Sequence, residues 1–158
     1  MQIEQALKQK KFKNEFHKLR VNLLYSASWL NSEVKNFLSP HNITQKQFNI
    51  LRILRGQYPD EMGITIMEIR DRMVDKMSDA SRIVDRIYKK GLIGKKPCAH
   101  DKRHTRVWIT EKGMKLLAEI DEKMPYMDNI FSLTKEEAQT LNCMLNEMRD
   151  MNENGNQK

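Results

Sequence analysis

Cysteines and long apolar runs are scarce in this sequence. Only two cysteines, Cys98 and Cys143, occur among 158 residues, too few for a secreted disulfide framework, which favours a reducing compartment. No run of about 18 apolar residues is present to cross a membrane, and the basic residues 1–20 lack the apolar centre of a signal peptide. We therefore expect a cytoplasmic protein that has no membrane partner.

The motifs of common enzyme classes are also absent. The sequence contains no nucleophile elbow, phosphate loop, zinc-protease motif or paired-carboxylate motif. Cys98, His100, Asp101 and His104 lie close together, but without a known metal-ligand spacing. We expect neither catalysis nor a metal or other cofactor, although neighbouring lysines leave a redox role of the Cys98 thiol open.

Glycine and proline are missing from the N-terminal segment up to Pro40. Apolar residues recur from Ile3 to Leu38, mostly at spacings of three and four, which predicts a helix over residues 3–38. A helix of that length cannot bury its apolar side on a small core alone. A partner chain is therefore expected to cover it.

Capping patterns predict the starts of three further helices. In each, a threonine is followed three residues later by glutamine or glutamate, so the two side chains can satisfy each other's backbone N–H groups. The pairs are Thr44 with Gln47, Thr65 with Glu68, and Thr134 with Glu137. A separate helix is predicted from about Ser78 to Lys90, ending at a left-handed Gly91. Together with the preceding short helix, it predicts a helix-turn-helix.

A β-hairpin is predicted after Gly91. Apolar stretches at residues 92–93 and 107–109 flank a basic segment, which indicates two short strands around a positively charged tip. Thr110 is expected to cap the next helix and Pro125 to interrupt it.

Positive charge is concentrated in this part of the chain, which has a net charge of +7 overall. Residues 65–110 hold twelve Lys or Arg against six Asp or Glu, a balance of +6. Residues 114–158 hold five against nine, a balance of −4. A basic helix-turn-helix and hairpin favour a polyanionic partner.

The stretch SRIVDRIYKKGLIGKKPCAHDKRHTRVWITEKGMKLL, residues 81–117, resembles the MarR (multiple antibiotic resistance regulator) family of winged helix-turn-helix repressors and activators. The resemblance includes Gly91-Leu92, Asp101-Lys102-Arg103 and the pair Thr110 and Gly113. It implies a mainly α fold with a small β-hairpin wing. It also implies an N-terminal dimerisation helix (1–40), a winged helix-turn-helix DNA-binding lobe (41–110) and C-terminal dimerisation helices (111–152). The remaining residues, 153–158, are expected from the sequence to form a disordered tail.

The resemblance implies a homodimer that binds duplex DNA sequence-specifically and responds to a small aromatic or lipophilic effector. The helix from Ser78 would enter the major groove, Arg103 would reach the minor groove, and Asp101 would orient nearby basic side chains. Lys76 departs from the family's small polar N-cap, which leaves Asp75 or Ser78 as the cap. The candidate DNA-binding residues are Ser78, Asp79, Ser81, Arg82, Arg86, Lys89, Lys95, Lys96, Lys102, Arg103 and Arg106.

Arg82 is the leading candidate for reading a base, because a guanidinium can donate two hydrogen bonds to guanine. Candidate residues for an effector pocket are Tyr25, Trp29, His41 and Tyr58, for each of which ordinary core packing is the alternative. A winged-helix adaptor that binds protein without sequence-specific DNA binding is the alternative function. RNA is less favoured, because the groove of A-form RNA does not admit a helix.

Overall fold

The computed structural model describes residues 2–57, 62–98 and 105–155, which form helices and one small sheet. The helices are α1 (Ile3–Ala6), α2 (Glu15–Leu38), α3 (Gln45–Arg55), α4 (Ile66–Arg72), α5 (Ala80–Lys89), α6 (Glu111–Asp121), α7 (Met124–Asn129) and α8 (Lys135–Gly155), with a short 3-10 helix at Ser39–His41. The strands are β1 (Ile64–Thr65), β2 (Ile93–Pro97) and β3 (Thr105–Ile109). The predicted mainly α fold with a small β wing is confirmed.

The chain divides into two units, Met1–Glu122 and Lys123–Lys158. The first unit contains the whole sheet and α1 to α6, and the second contains α7 and α8. The predicted domain boundary between residues 110 and 111 lies ahead of α6, whereas the units divide after Glu122.

The single helix predicted over residues 3–38 is wrong. Helix α1 ends at Ala6, Lys8 adopts a left-handed φ of 52°, and α2 begins only at Glu15. Asn14 caps α2, because its side-chain oxygen accepts a hydrogen bond from the His17 N–H at 2.8 Å. The interruption contains neither glycine nor proline, so the apolar periodicity did not reveal it.

The helix starts predicted from threonine caps are confirmed. At α3, the Gln47 N–H donates to the Thr44 hydroxyl and the Thr44 N–H donates to the Gln47 amide oxygen, both at 3.2 Å. The same reciprocal pairs precede α4 and α8. Thr110 accepts from the Gly113 N–H at the start of α6. Pro125 lies in the first turn of α7, after the predicted interruption.

The chain ends differently from the prediction. Helix α8 continues to Gly155, so a disordered tail over 153–158 is wrong for its first three residues. Residues 156–158 lie outside the described part of the chain. Cys143 is exposed on α8. Within the described residues, none of the helices is long and apolar enough to span a membrane.

The sheet has the order β1-β3-β2, with both pairs antiparallel. Strand β1 was not predicted, because two residues carry no detectable alternation. Its Ile64 pairs with Val107 on β3, while Ile93 on β2 pairs with Ile109. Gly63 leads into β1 with a φ of 64°, and a Cβ there would overlap the carbonyl group of Val107.

One apolar core lies within the first unit and fixes the helices against the sheet. Its most deeply buried members come from α2 through α6 and the two longer strands. They are Leu38, Ile50, Leu51, Ile69, Val84, Ile87, Ile93, Val107, Leu117 and Ile120. Across this core, Asp121 on α6 bonds to Arg52 at 3.1 Å and to Arg55, both on α3. These ion pairs hold α6 against the helix that supports α4 and α5.

Candidate nucleic-acid interface

Helix α4 begins with a carboxylate that is held by its own first turn. The Thr65 N–H and hydroxyl each donate to Oε2 of Glu68 at 2.8 Å. These two hydrogen bonds lower the pKa of Glu68, with smaller contributions from the charges of Arg106 and Arg72. The first helix of the predicted helix-turn-helix therefore starts at a well-defined place beside β1.

Helix α5 separates apolar and basic residues onto opposite sides. Its Ala80, Val84 and Ile87 are buried in the core, which fixes the rotation of the helix about its axis. The opposite side is exposed and carries Ser81, Arg82, Asp85, Arg86 and Lys89. Because Arg82, Arg86 and Lys89 follow at spacings of four and three, they share one face. We call these three side chains the basic face.

The N-cap of α5 is Asp79, so the predicted cap at Asp75 or Ser78 is wrong. Oδ1 of Asp79 accepts a hydrogen bond from the Arg82 N–H at 3.0 Å, and the helix starts at Ala80 rather than Ser78. A capping carboxylate also complements the positive end of the helix dipole. Asp79 therefore sets where α5 begins.

The turn between α4 and α5 is tied to α3. Asn49 Oδ1 accepts from the Val74 N–H at 3.2 Å, and Lys46 Nζ lies 2.9 Å from Oδ2 of Asp75. Asp75 also accepts from the Met77 N–H at 3.1 Å and from the Ser78 hydroxyl at 2.7 Å. We call this set of hydrogen bonds the turn anchor. Its two α3 residues are distant in sequence and were not predicted.

The charge of Asp75 is stabilised by these partners. The hydrogen bond from Lys46 is the main reason that its pKa is lowered from 3.8, and the Ser78 hydroxyl contributes next. Ser78, predicted to bind DNA, is half-buried, and its hydroxyl hydrogen is directed to Asp75.

The strands of the wing contain three of the predicted basic residues, and each has a partner within the chain. Lys95 Nζ lies 2.6 Å from Oδ1 of Asp85 and 4.9 Å from the centre of a tyrosine ring on α5. Lys96 lies over the Trp108 ring. Arg106 is half-buried and donates to the Gly63 carbonyl at 2.8 Å. Arg106 thus links β3 to the start of β1.

Three other predicted residues, Asp101, Lys102 and Arg103, lie outside the described residues, as does Tyr58. The minor-groove contact assigned to Arg103 therefore stays a prediction.

The predicted effector residues are not brought together at the cleft that the structure shows beside the end of α5. This cleft has a volume of about 630 Å³, and its lining includes His41 and several lysines. Tyr25 and Trp29 do not line it, and both are about two-fifths exposed on α2. Lys90 at its edge donates to the Asn42 carbonyl and to the Gln47 amide oxygen.

Comparison with known proteins finds sequences similar to this arrangement. Residues 43–105 match the sequence profile of the MarR family. Over 123 residues the chain is 26% identical to the HTH-type transcriptional regulator MhqR of Bacillus subtilis (strain 168), which covers 76% of this chain and 81% of that relative.

Solved structures share the fold. A cysteine-to-serine variant of MarR from E. coli, complexed with operator DNA, is 23% identical with a TM-score of 0.74, covering 88% of this chain and 99% of that one. An organohalide-sensing transcriptional regulator in its 2,4-dichlorophenol-bound form is 24% identical with a TM-score of 0.76, covering 90% and 86%. The winged-helix architecture is thereby confirmed, and residues 43–105 are similar in sequence to the MarR family.

Proposed function

We propose that this protein is a transcriptional regulator that binds duplex DNA sequence-specifically as a homodimer through α5 and the wing. The observation that carries the proposal is the basic face. Arg82, Arg86 and Lys89 are exposed on a helix whose other side is locked into the core. A helix fits the major groove of B-DNA, and its N-terminal residues reach base edges.

The basic residues divide into two roles. Arg82 lies in the first turn of α5, where a guanidinium can donate two hydrogen bonds to guanine O6 and N7. Arg86 and Lys89 lie one and two turns further along, where phosphate groups are the expected acceptors. Asp79 caps the helix and thereby orients this face. Its own side chain is not one of the basic groups that would bind DNA.

Apolar residues exposed in each unit support a homodimer. Helix α2 exposes Phe16, Leu19 and Leu24. Helix α8 exposes Leu141 and Met144. Groups of exposed apolar side chains are uncommon on soluble monomers and usually mark a surface that a partner covers. A dimer would present two α5 helices to half-sites about 10 base pairs apart.

Regulation by a small effector follows from the family and from a relative that binds 2,4-dichlorophenol. In the dimer, the two DNA-binding lobes can lie at more than one spacing. An effector that binds one spacing better than another shifts the population of dimers toward or away from the form that binds DNA. The family comprises transcriptional regulators rather than enzymes. We place the protein in the cytoplasm, where bacterial DNA is available.

The first experiment compares variants of the basic face on several duplexes. The duplexes span the DNA upstream of the protein's own coding sequence, with base substitutions at successive positions. Arg82→Ala should weaken binding to the preferred duplex at least about thirtyfold and flatten the preference at one position of each half-site, because each protomer loses about 1–3 kcal/mol of base discrimination. Lys89→Ala should weaken binding equally on every duplex.

Arg149→Ala is the matched control, because it removes an exposed arginine from α8, outside the basic face. Its affinity should equal that of the unsubstituted protein. If Arg82→Ala and Arg149→Ala bind every duplex alike, α5 does not read DNA. Binding of a protein partner by the same folded chain would then favour the adaptor function.

A further inference from the structure

Two apolar side chains project from the turn that precedes α5. Met77 is 95% exposed and Val74 is 88% exposed, the two highest values for large apolar residues among residues 2–57, 62–98 and 105–150, whose exposure the structure describes. Neither contributes to the core. We call this pair the apolar tip.

The backbone of the apolar tip is fixed rather than loose. The Val74 N–H donates to Asn49 on α3, and the Met77 N–H donates to Asp75. Asp75 is itself held by Lys46 on α3. Both exposed side chains therefore project from a turn whose position is set by another helix. Because the turn is already ordered, less conformational entropy is lost when a partner binds it.

The surroundings of the apolar tip favour a polyanion over an apolar protein surface. Lys46 and Lys76 are exposed beside it, and Arg82 lies in the first turn of the helix that follows. The nearby carboxylate of Asp75 is paired with Lys46, and Asp79 caps α5. Around the tip the three cations outnumber the two carboxylates. Apolar atoms beside such a surface match the major groove at a thymine, where a C5-methyl group projects between the two phosphate backbones.

We propose that Met77 and Val74 contact thymine C5-methyl groups in the major groove, next to the bases that α5 reads. The proposal rests on the proposed function, because it names a further specificity element of the same interface. Burying a methyl group between apolar atoms removes unfavourable hydration on both sides. The effect expected is about fourfold in affinity for each methyl group buried, from about 0.8 kcal/mol per methylene-sized group.

The test begins with selection of tightly bound duplexes from a random-sequence library. Full-length protein, Met77→Ala and Met67→Ala are each used. Met67 is the matched control, because it is an exposed methionine on α4 rather than in the turn. Each thymine of the duplex selected by the unsubstituted protein is then replaced by deoxyuridine, which removes only the C5-methyl group, and the affinity of all three proteins is measured.

At one thymine position in each half-site, we expect deoxyuridine to lower the DNA affinity of the unsubstituted protein and of Met67→Ala about fourfold. Met77→Ala should lose this dependence and should already bind the thymine duplex about sixteenfold more weakly, because both protomers of the dimer lose one such contact. Circular dichroism and thermal unfolding of all three proteins should coincide, because the exposed Met77 side chain stabilises no core contact.

Equal effects of deoxyuridine on Met77→Ala and on the unsubstituted protein would overturn the apolar contact. So would a duplex that tolerates deoxyuridine at every thymine. In either case the selected preference at the Arg82 position would persist, and the proposed function would stand. If the unsubstituted protein selects no sequence at all, the proposed function fails together with this inference.

Discussion

Lys46 on α3 places its Nζ 2.9 Å from Oδ2 of Asp75, which lies in the turn between α4 and α5. This ion pair joins α3 to the turn that precedes α5. Asp75 also accepts from the Ser78 hydroxyl and the Met77 N–H. The direction in which α5 leaves the turn is therefore controlled from α3, through groups that lie on the surface.

Acid should weaken the turn anchor. The pKa of Asp75 is lowered from 3.8 in the folded chain, chiefly by Lys46, so the unfolded chain binds a proton at higher pH than the folded chain. The stabilisation is fully present above about pH 4 and is lost as the pH falls through the lower folded pKa. In thermal unfolding from about pH 5 to pH 2.5, the unsubstituted protein should therefore lose stability more steeply than Asp75→Asn.

The partner can be tested separately. Lys46→Met removes the main cause of the lowered pKa, so its pH dependence should move toward that of Asp75→Asn. If all three proteins lose stability in parallel over this range, Asp75 does not hold the turn through its charge.

Asp79→Ala should destabilise the protein by about 1 kcal/mol, because the Arg82 N–H loses its capping acceptor. Asp79→Ser keeps a capping oxygen and removes the charge, so its free energy of unfolding in urea should stay close to that of the unsubstituted protein. An Asp79→Ala protein as stable as Asp79→Ser would show that the cap contributes nothing.

Sequence alone was sufficient where the determinants are local. A threonine and an acceptor three residues later, as in Thr44 and Gln47, lie within one turn of chain, and all three such pairs form. The left-handed Gly91, with a φ of 72°, ends α5 for the same reason. The basic face was predictable because helical spacing assigns Arg82 and Arg86 to the side opposite the apolar residues.

Determinants that join distant segments were not predictable. The turn anchor depends on Asn49 of α3, 25 residues before Val74, and no local pattern marks it. The break before α2 depends on Asn14 as an N-cap and on a left-handed Lys8, although asparagine and lysine also occur within helices. The exposure of Met77 was not predictable either, because it follows from the fold rather than from the neighbours of Met77 in sequence.

Gly63→Ala should destabilise the first unit by more than about 1 kcal/mol, since a Cβ at a φ of 64° is strained and would overlap the Val107 carbonyl. Gly56→Ala is the matched control. Gly56 ends α3 with a φ of −63°, and a Cβ there meets two carbonyl oxygens at the ordinary contact distances of 3.4 and 3.8 Å. Urea unfolding should show a large loss for Gly63→Ala and little change for Gly56→Ala; equal stabilities would contradict the close packing of β1 on β3.

Met144→Glu should disrupt the proposed homodimer, because it places a charge among the exposed apolar residues of α8. Gln139→Glu adds the same charge to an exposed position of the same helix, turned away from Met144 by the helical spacing. Light scattering coupled to gel filtration should give a monomer for Met144→Glu and a dimer for Gln139→Glu. A dimer for both would remove this side of α8 from the interface.

The most direct measurement is a salt titration of binding to duplex DNA spanning the upstream region of the protein's own coding sequence, with a scrambled duplex as control. The logarithm of the affinity should fall with the logarithm of the salt concentration with a slope of about −0.9 per phosphate neutralised, which gives about −4 for Arg86 and Lys89 on two protomers. The native duplex should bind far more tightly than the scrambled one. A folded dimer that binds neither duplex at low salt would contradict DNA recognition by the basic face.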